Sequence, residues 1–236
     1  MLFRSASDAG PGRVVLFGTG RLVTDTDASD ASVQTYYGVL DPTADGASSS
    51  GDTSPFASYP DGRTPLEQQI TTTNPVTDKN GTYFKVTANP VDWTTQLGWY
   101  MDLPFSRQRD IYPSLILAGN YVYIQTIVPA GAAAACDVSN GQGYNYILVA
   151  RTGGQVNVPI YDTNGDGVID SKDLVVAGWT SDADGVDKLV FKKTGDEGEG
   201  FMCNTQQNCQ QYKLPGSVIV VKDRVWRQLL KPPVAP

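Results

Sequence analysis

Between Tyr161 and Asp173 the chain reads YDTNGDGVIDSKD, which sets side-chain oxygens at Asp162, Asn164, Asp166 and Asp170 with glycines among them. Carboxylates at that density repel one another, so the run calls for a compensating positive charge. Counted from Asp162 as the first position, oxygen-bearing side chains fall at 1, 3, 5 and 9, Gly167 at 6 and Val168 at 7, the spacing of an EF-hand-type calcium loop. A chain winding round a hard cation turns alternate side chains inward, and Gly167 supplies a bend that a residue with a Cβ resists. Position 7 needs only its backbone carbonyl, so a valine there is harmless. The predicted ligands are therefore Asp162, Asn164, Asp166, the Val168 carbonyl and Asp170, and the predicted ion is calcium. Magnesium, which keeps a tight octahedron with several waters, fits less well. An acidic surface turn holding no ion is the plainer alternative.

Position 12 is Asp173, where an EF-hand carries a bidentate glutamate. Its shorter arm leaves three options open: one oxygen, contact through water, or no reach at all. The stretch before the loop, GGQVNVPIY, reads as extended and contains a proline, so a helix–loop–helix sensor is excluded and a calcium loop in a β framework is expected.

That framework is legible elsewhere. RVVLFG, QTYYGVL, TYFKVTA, YVYIQTIV, YNYILVA, KLVFKK and SVIVVKD are short runs of β-branched and aromatic residues, separated by Gly, Pro, Asn and Asp. Asp78-Lys79-Asn80-Gly81 is a hairpin signal between QQITTT and TYFKVTA. Helical periodicity is nearly absent, with one turn at most over 170–177 and another in VWRQLL. The expectation is an all-β chain, a propeller or sandwich, with a long insertion loop over 43–65 rich in Ser, Gly, Asp and Pro.

Composition narrows the chemistry. The 236 residues contain no histidine, which removes His-dependent triads, HExxH zinc sites and imidazole ligation. No pair of carboxylates stands out from the acidic loops for acid–base work, so an enzyme is not expected. Eighteen basic against 25 acidic residues give a net charge of −7, and no basic stripe with interleaved aromatics interrupts it. Nucleic acid is not expected as a partner, and neither is direct membrane insertion. Near the start, the apolar run Val14 to Phe17 is too short for a signal core or a span, so export implies a signal on sequence outside this chain.

Three cysteines are present without a CxxC pair. Cys203 and Cys209 are close enough to close a small disulfide loop, which implies an oxidising compartment, while Cys136 is left over; three free thiols are the alternative. Asp182, Asp184 and Asp187 lack the full ligand spacing, and Asp184-Gly185 reads as a hairpin turn. Asp25, Asp27 and Asp30 read as a solvated loop. The glycines of LFGTGR lack the ending of a phosphate-binding loop and read as turn residues. Asn80-Gly81-Thr82 matches a glycosylation acceptor, but the turn already accounts for its Asn-Gly.

Several phrases in order resemble the C-terminal β-propeller domain of the PilY/PilC family, the type IV pilus tip adhesins and biogenesis factors. They are VVLFGTGRLVTDTD with QTYYGVLD, then LGWYMDLP, then RQRDIYPSLILAGNYVYIQTIVP, followed by Cys136, the glycine-bearing 141–146 stretch, ARTGG and the acidic loop. The likeness runs from Val14 to Trp226. It implies a single, partial modified β-propeller over 1–236, the C-terminal part of a longer protein, with the calcium loop set between strands. It implies one calcium held by Asp162, Asn164, Asp166, the Val168 carbonyl and Asp170. It also implies a non-enzymatic, exported surface protein at the pilus tip or outer membrane, whose partners are minor pilins and a host-surface ligand. A structural domain stapled by calcium and a quinoprotein-like propeller enzyme are the alternatives. No Arg-Gly-Asp tripeptide occurs, so integrin-type adhesion gains no support.

Overall fold

The computed structural model describes residues 2–3, 13–41, 62–72, 74–79, 81–130, 141–180, 188–194, 197–203 and 209–215. Among them are three sheets and one short helix, joined by turns and irregular segments. The first sheet runs β1 (Leu2–Phe3), β2 (Arg13–Gly18), β3 (Thr35–Asp41), β7 (Gly98–Asp102), β4 (Leu66–Gln69), antiparallel except for the parallel β4–β7 pair. The second runs β5 (Val76–Asp78), β6 (Gly81–Phe84), β11 (Gly178–Thr180), β10 (Gln142–Val149), β9 (Tyr121–Val128), β8 (Leu115–Leu117). The third is β12 (Lys188–Thr194), β13 (Glu197–Cys203) and β14 (Cys209–Leu214).

The second sheet is the middle layer, because its central strands β11, β10 and β9 are buried on both faces. Side chains alternate along a strand, so β10 sends Tyr144, Tyr146 and Leu148 into one core and Ile147 into the other. On β9, Val122 and Ile124 join the first core while Tyr123 joins the second. The two strands pair over their full length, from Gln142↔Val128 to Val149↔Tyr121. In the first core these residues meet Val14, Leu16, Tyr36, Trp99 and Met101 of the first sheet; in the second they meet Met202, Tyr212 and Leu214 of the third.

Trp99 locks the first sheet to the turn that follows β10. Its ring lies so near Gly38 and Gly153 that a Cβ on either would come within 2.3 Å and 2.2 Å of indole atoms, and its Nε1 donates to the Ala150 carbonyl at 3.2 Å. This turn begins the long connection that carries the acidic loop. A buried tryptophan replaced by alanine costs about 3–5 kcal/mol.

The all-β, propeller-like expectation stands, although the sheets hold five, six and three strands and do not close into a ring among the described residues. The hairpin at 78–81 forms, with Asp78 opposite Gly81, but its first arm is Val76–Asp78 rather than QQITTT, whose Thr71 instead bridges Val86. Asp25 and Asp30 are exposed, as a solvated loop would have them, but Asp27 is not. Residues Asp25–Ser29 form α1, and buried Asp27 accepts hydrogen bonds from the Val23 and Thr24 amides and an ion pair from Arg21 at 2.7 Å. Beside it, the guanidinium of buried Arg109 donates to the carbonyls of Arg21, Asp30 and Arg107, clamping the segment. Cys203 and Cys209 are joined by a disulfide at the β13–β14 end. The 43–61 part of the insertion, Asn80, Cys136, Asp182, Asp184, Asp187, SVIVVKD and VWRQLL lie outside the described residues.

Candidate metal centre

The acidic loop lies in the connection between β10 and β11, and its entry is fixed to the third sheet. The Lys213 amide donates to the Ile160 carbonyl at 2.9 Å, Tyr161 bridges Tyr212, and the Asp162 amide donates to the Gln211 carbonyl. Gln210 completes the attachment. Its Nε2 donates to the Asp162 carbonyl at 2.9 Å, and its Oε1 accepts from the Tyr83 hydroxyl at 2.6 Å. The floor is aromatic, with the fully buried Tyr161 ring 6.2 Å from that of Tyr83 and its hydroxyl on the Ala177 carbonyl. Burial holds the Tyr161 phenol well above its ordinary pKa; Tyr83 is raised too, first by burial and then by the charges of Asp78, Asp162 and Asp173.

Within the loop, every predicted side-chain ligand holds a backbone amide further along. Asp162 accepts from Gly165 and Gly167, at 2.8 and 3.0 Å. Asn164 accepts from Asp166, Asp166 from Val168 and Asp170 from Lys172, each two residues on. These Asx turns wind the chain into the bend expected from the spacing, and Gly165 and Gly167 take positive φ, 71° and 84°. Asp162 is buried; Asn164 and Asp170 are half-buried; Asp166 and Val168 face solvent.

The structure therefore places the five predicted ligands along one bend. With the side chains turned to their own amides, no group of three or more acidic or cysteine side chains is gathered as a metal would hold it among the described residues. The donor set nonetheless suits a hard cation: three carboxylates, an amide oxygen and the Val168 carbonyl, which accepts no hydrogen bond among the described residues. One cationic side chain approaches, Lys172, 3.9 Å from Asp170 and exposed.

Asp173 has a part that the ligand template does not supply. Buried, it accepts from the Thr163 amide at 2.7 Å, the Thr163 hydroxyl, the Asn164 amide and, through its other oxygen, the Asp170 amide at 2.8 Å. Both oxygens are engaged in closing the loop, so position 12 acts here as a clasp. Its spacing was the available signal. Gln210 gave none, since it lies 48 residues from the carbonyl it holds.

No protein-family model matches the chain. Type IV pilus biogenesis factor PilY1 of Pseudomonas aeruginosa is 31% identical over 172 residues, which is 68% of this chain and 14% of that protein. The crystal structure of the P. aeruginosa PilY1 C-terminal domain superposes with a TM-score of 0.66 at 25% identity, over 92% of this chain and 44% of that one. The chain is homologous to the PilY1 C-terminal domain. A PilY1 homolog from Xylella fastidiosa is 32% identical over 157 residues, 63% of this chain and 10% of that protein. This chain thus spans a small part of the full-length PilY1 proteins it matches. No helix among the described residues is long and apolar enough to cross a membrane.

Proposed function

We propose that this domain binds one calcium ion in the 162–170 bend and serves a type IV pilus biogenesis and tip adhesion factor as its calcium-stabilised surface domain. The observation carrying the reading is the bend itself, Asp162, Asn164 and Asp166 alternating around Gly167, in a chain homologous to the PilY1 C-terminal domain. Calcium supplies the positive charge that three carboxylates on one short bend lack. The chain's own residues do the rest. Asp162 joins the bend to β14 through its backbone, Gln210 fixes its carbonyl, and Asp173 keeps both ends of the loop together. Ordering the loop then orders the edge of the third sheet, and with it a surface offered to minor pilins or a host ligand outside the cell. A second reading, calcium as a permanent staple without regulation, is favoured by Asp173, which closes the loop through hydrogen bonds alone.

Calorimetric calcium titration of the wild type and of Asp166→Ala, with melting in calcium and in chelator, tests the site. Asp166 is exposed and holds only the Val168 amide, so its removal leaves the rest of the fold in place. At a free calcium of a hundred times Kd the wild type gains about 2.7 kcal/mol and the variant none. Equal melting with and without calcium would sink the reading. Counting surface pili on wild-type cells at low and high calcium, with Asp166→Ala as the ion-free reference, separates the two versions, since a permanent staple predicts that calcium levels leave wild-type assembly unchanged.

A further inference from the structure

The acidic loop enters along an edge that a covalent bond closes. β14 is the outermost strand of the third sheet, paired with β13 from Gly198↔Leu214 to Cys203↔Cys209. Its other side carries the start of the loop: the Lys213 amide donates to the Ile160 carbonyl at 2.9 Å, the Asp162 amide to the Gln211 carbonyl at 3.4 Å, and Tyr161 bridges Tyr212. Cys203↔Cys209 is the last pair of the β13–β14 register, and Met202↔Gln210 stands next to it. The disulfide is therefore the immediate neighbour of Gln210, whose buried side chain donates to the Asp162 and Gln211 carbonyls and accepts from the Tyr83 hydroxyl.

Strand pairs open from their ends, where the fewest hydrogen bonds are broken. Opening at the cysteine end would reach Gln210 first, take its amide off the Asp162 carbonyl and leave buried polar groups without partners. Asp162 also accepts the Gly165 and Gly167 amides, so the place of its backbone decides where the bend begins. A cross-link over the terminal pair removes most of the opened states and leaves the closed one as it is. Cys209 is exposed and Cys203 half-buried, so thiols and disulfide-exchange proteins can reach the bond.

From this placement we infer that the Cys203–Cys209 bond is the latch of the acidic loop: oxidation fixes 160–162 on β14 and makes the 162–170 bend competent for calcium. The calcium part rests on the reading proposed above. The step balances with a disulfide donor as oxidant. One cysteine thiolate attacks the donor, forming a mixed disulfide and releasing the donor's first thiol. The second cysteine then displaces the other donor sulfur, so two electrons and two protons pass to the donor, which leaves as a dithiol. Such donors act in oxidising compartments, so a chain still in a reducing one carries an unlatched loop of weak affinity. Calcium binding then follows export rather than preceding it.

The test is calorimetric calcium titration of the oxidised chain, of the same chain reduced with dithiothreitol, and of a Cys203→Ser, Cys209→Ser variant. Amide exchange of all three in chelator accompanies it. Both forms without the bond should bind calcium at least about tenfold more weakly than the oxidised chain. Their Lys213 and Asp162 amides should exchange faster, while the Ile127 amide, which donates to the Arg109 carbonyl in the middle sheet, keeps its rate. Equal affinity with and without the bond overturns the inference. So does acceleration at Ile127 as large as at Lys213, or unfolding of both forms, because the bond would then hold the whole domain rather than the loop. An oxidised chain that binds no calcium sinks the calcium reading itself. The latch is then decided by exchange in chelator: faster Lys213 and Asp162 amides uphold it, and unchanged ones refute it.

Discussion

The bends at 21–30 and 162–173 are both crowded with aspartates, yet the chain treats them in opposite ways. In the first, Arg21 reaches Asp27 at 2.7 Å and Arg109 grips the surrounding carbonyls, so positive charge comes from within the protein. In the second, Asp166 makes no ion pair among the described residues, Lys172 approaches Asp170 no closer than 3.9 Å, and backbone amides hold the carboxylates instead. Amides satisfy hydrogen bonding but leave the net charge in place. The density of acids therefore says little about metal binding, and what distinguishes the two bends is whether a guanidinium is already paired with the carboxylates.

The sharpest way to probe this contrast is to cut the clasp. Asp173→Ala leaves the Thr163, Asn164 and Asp170 amides without their acceptor and should cost about 3–5 kcal/mol by denaturant unfolding; an unchanged midpoint would show that the loop closes by other means. Calcium at a hundred times Kd should next raise amide-exchange protection over 162–173 by about 2.7 kcal/mol and leave 21–30 untouched. A matching gain in both bends breaks the comparison. Gly167→Ala is smaller. Its Cβ would meet nothing within 4 Å, so the cost is the positive φ of 84° alone, about 1–2 kcal/mol, accompanied by weaker calcium binding.

Smallest is Arg21→Ala. The Asp27 carboxyl is held well below its usual pKa, first by Arg21 and then by the Val23 and Thr24 amides. A depressed carboxylate contributes stability that is present above the ordinary carboxylate range and is lost as pH falls through the folded-state value. Without the guanidinium that loss moves to higher pH, read from the Val23 and Thr24 amide shifts during acid titration. An unmoved titration would show that the amides alone hold Asp27.

How much of this was legible depended on the range of the interaction. The runs YVYIQTIV and YNYILVA announce strands because β-branched and aromatic residues crowd them, and the two-faced burial of β9 and β10 follows from their lack of a polar alternation. The Asx turns of the acidic loop were equally local, each bond spanning two to five residues. The burial of Asp27 was not legible because Arg109, 88 and 79 residues from the Arg21 and Asp30 carbonyls it holds, reaches that segment only in the fold. Gln210 and the β14 edge were invisible for the same reason. The glycines of LFGTGR read locally as turn residues, whereas Gly18 ends β2 and makes room for the Asp110 side chain, 92 positions later.

One feature of the architecture bears on how the molecule fails. The central strands of the middle sheet, β6, β11, β10 and β9, are buried on both faces, so neither outer sheet can peel away without baring a wall of tyrosine, isoleucine and leucine. Loss of grip at either side then exposes sticky surface at once, and damage to this protein should appear first as self-association rather than as a softened but soluble domain.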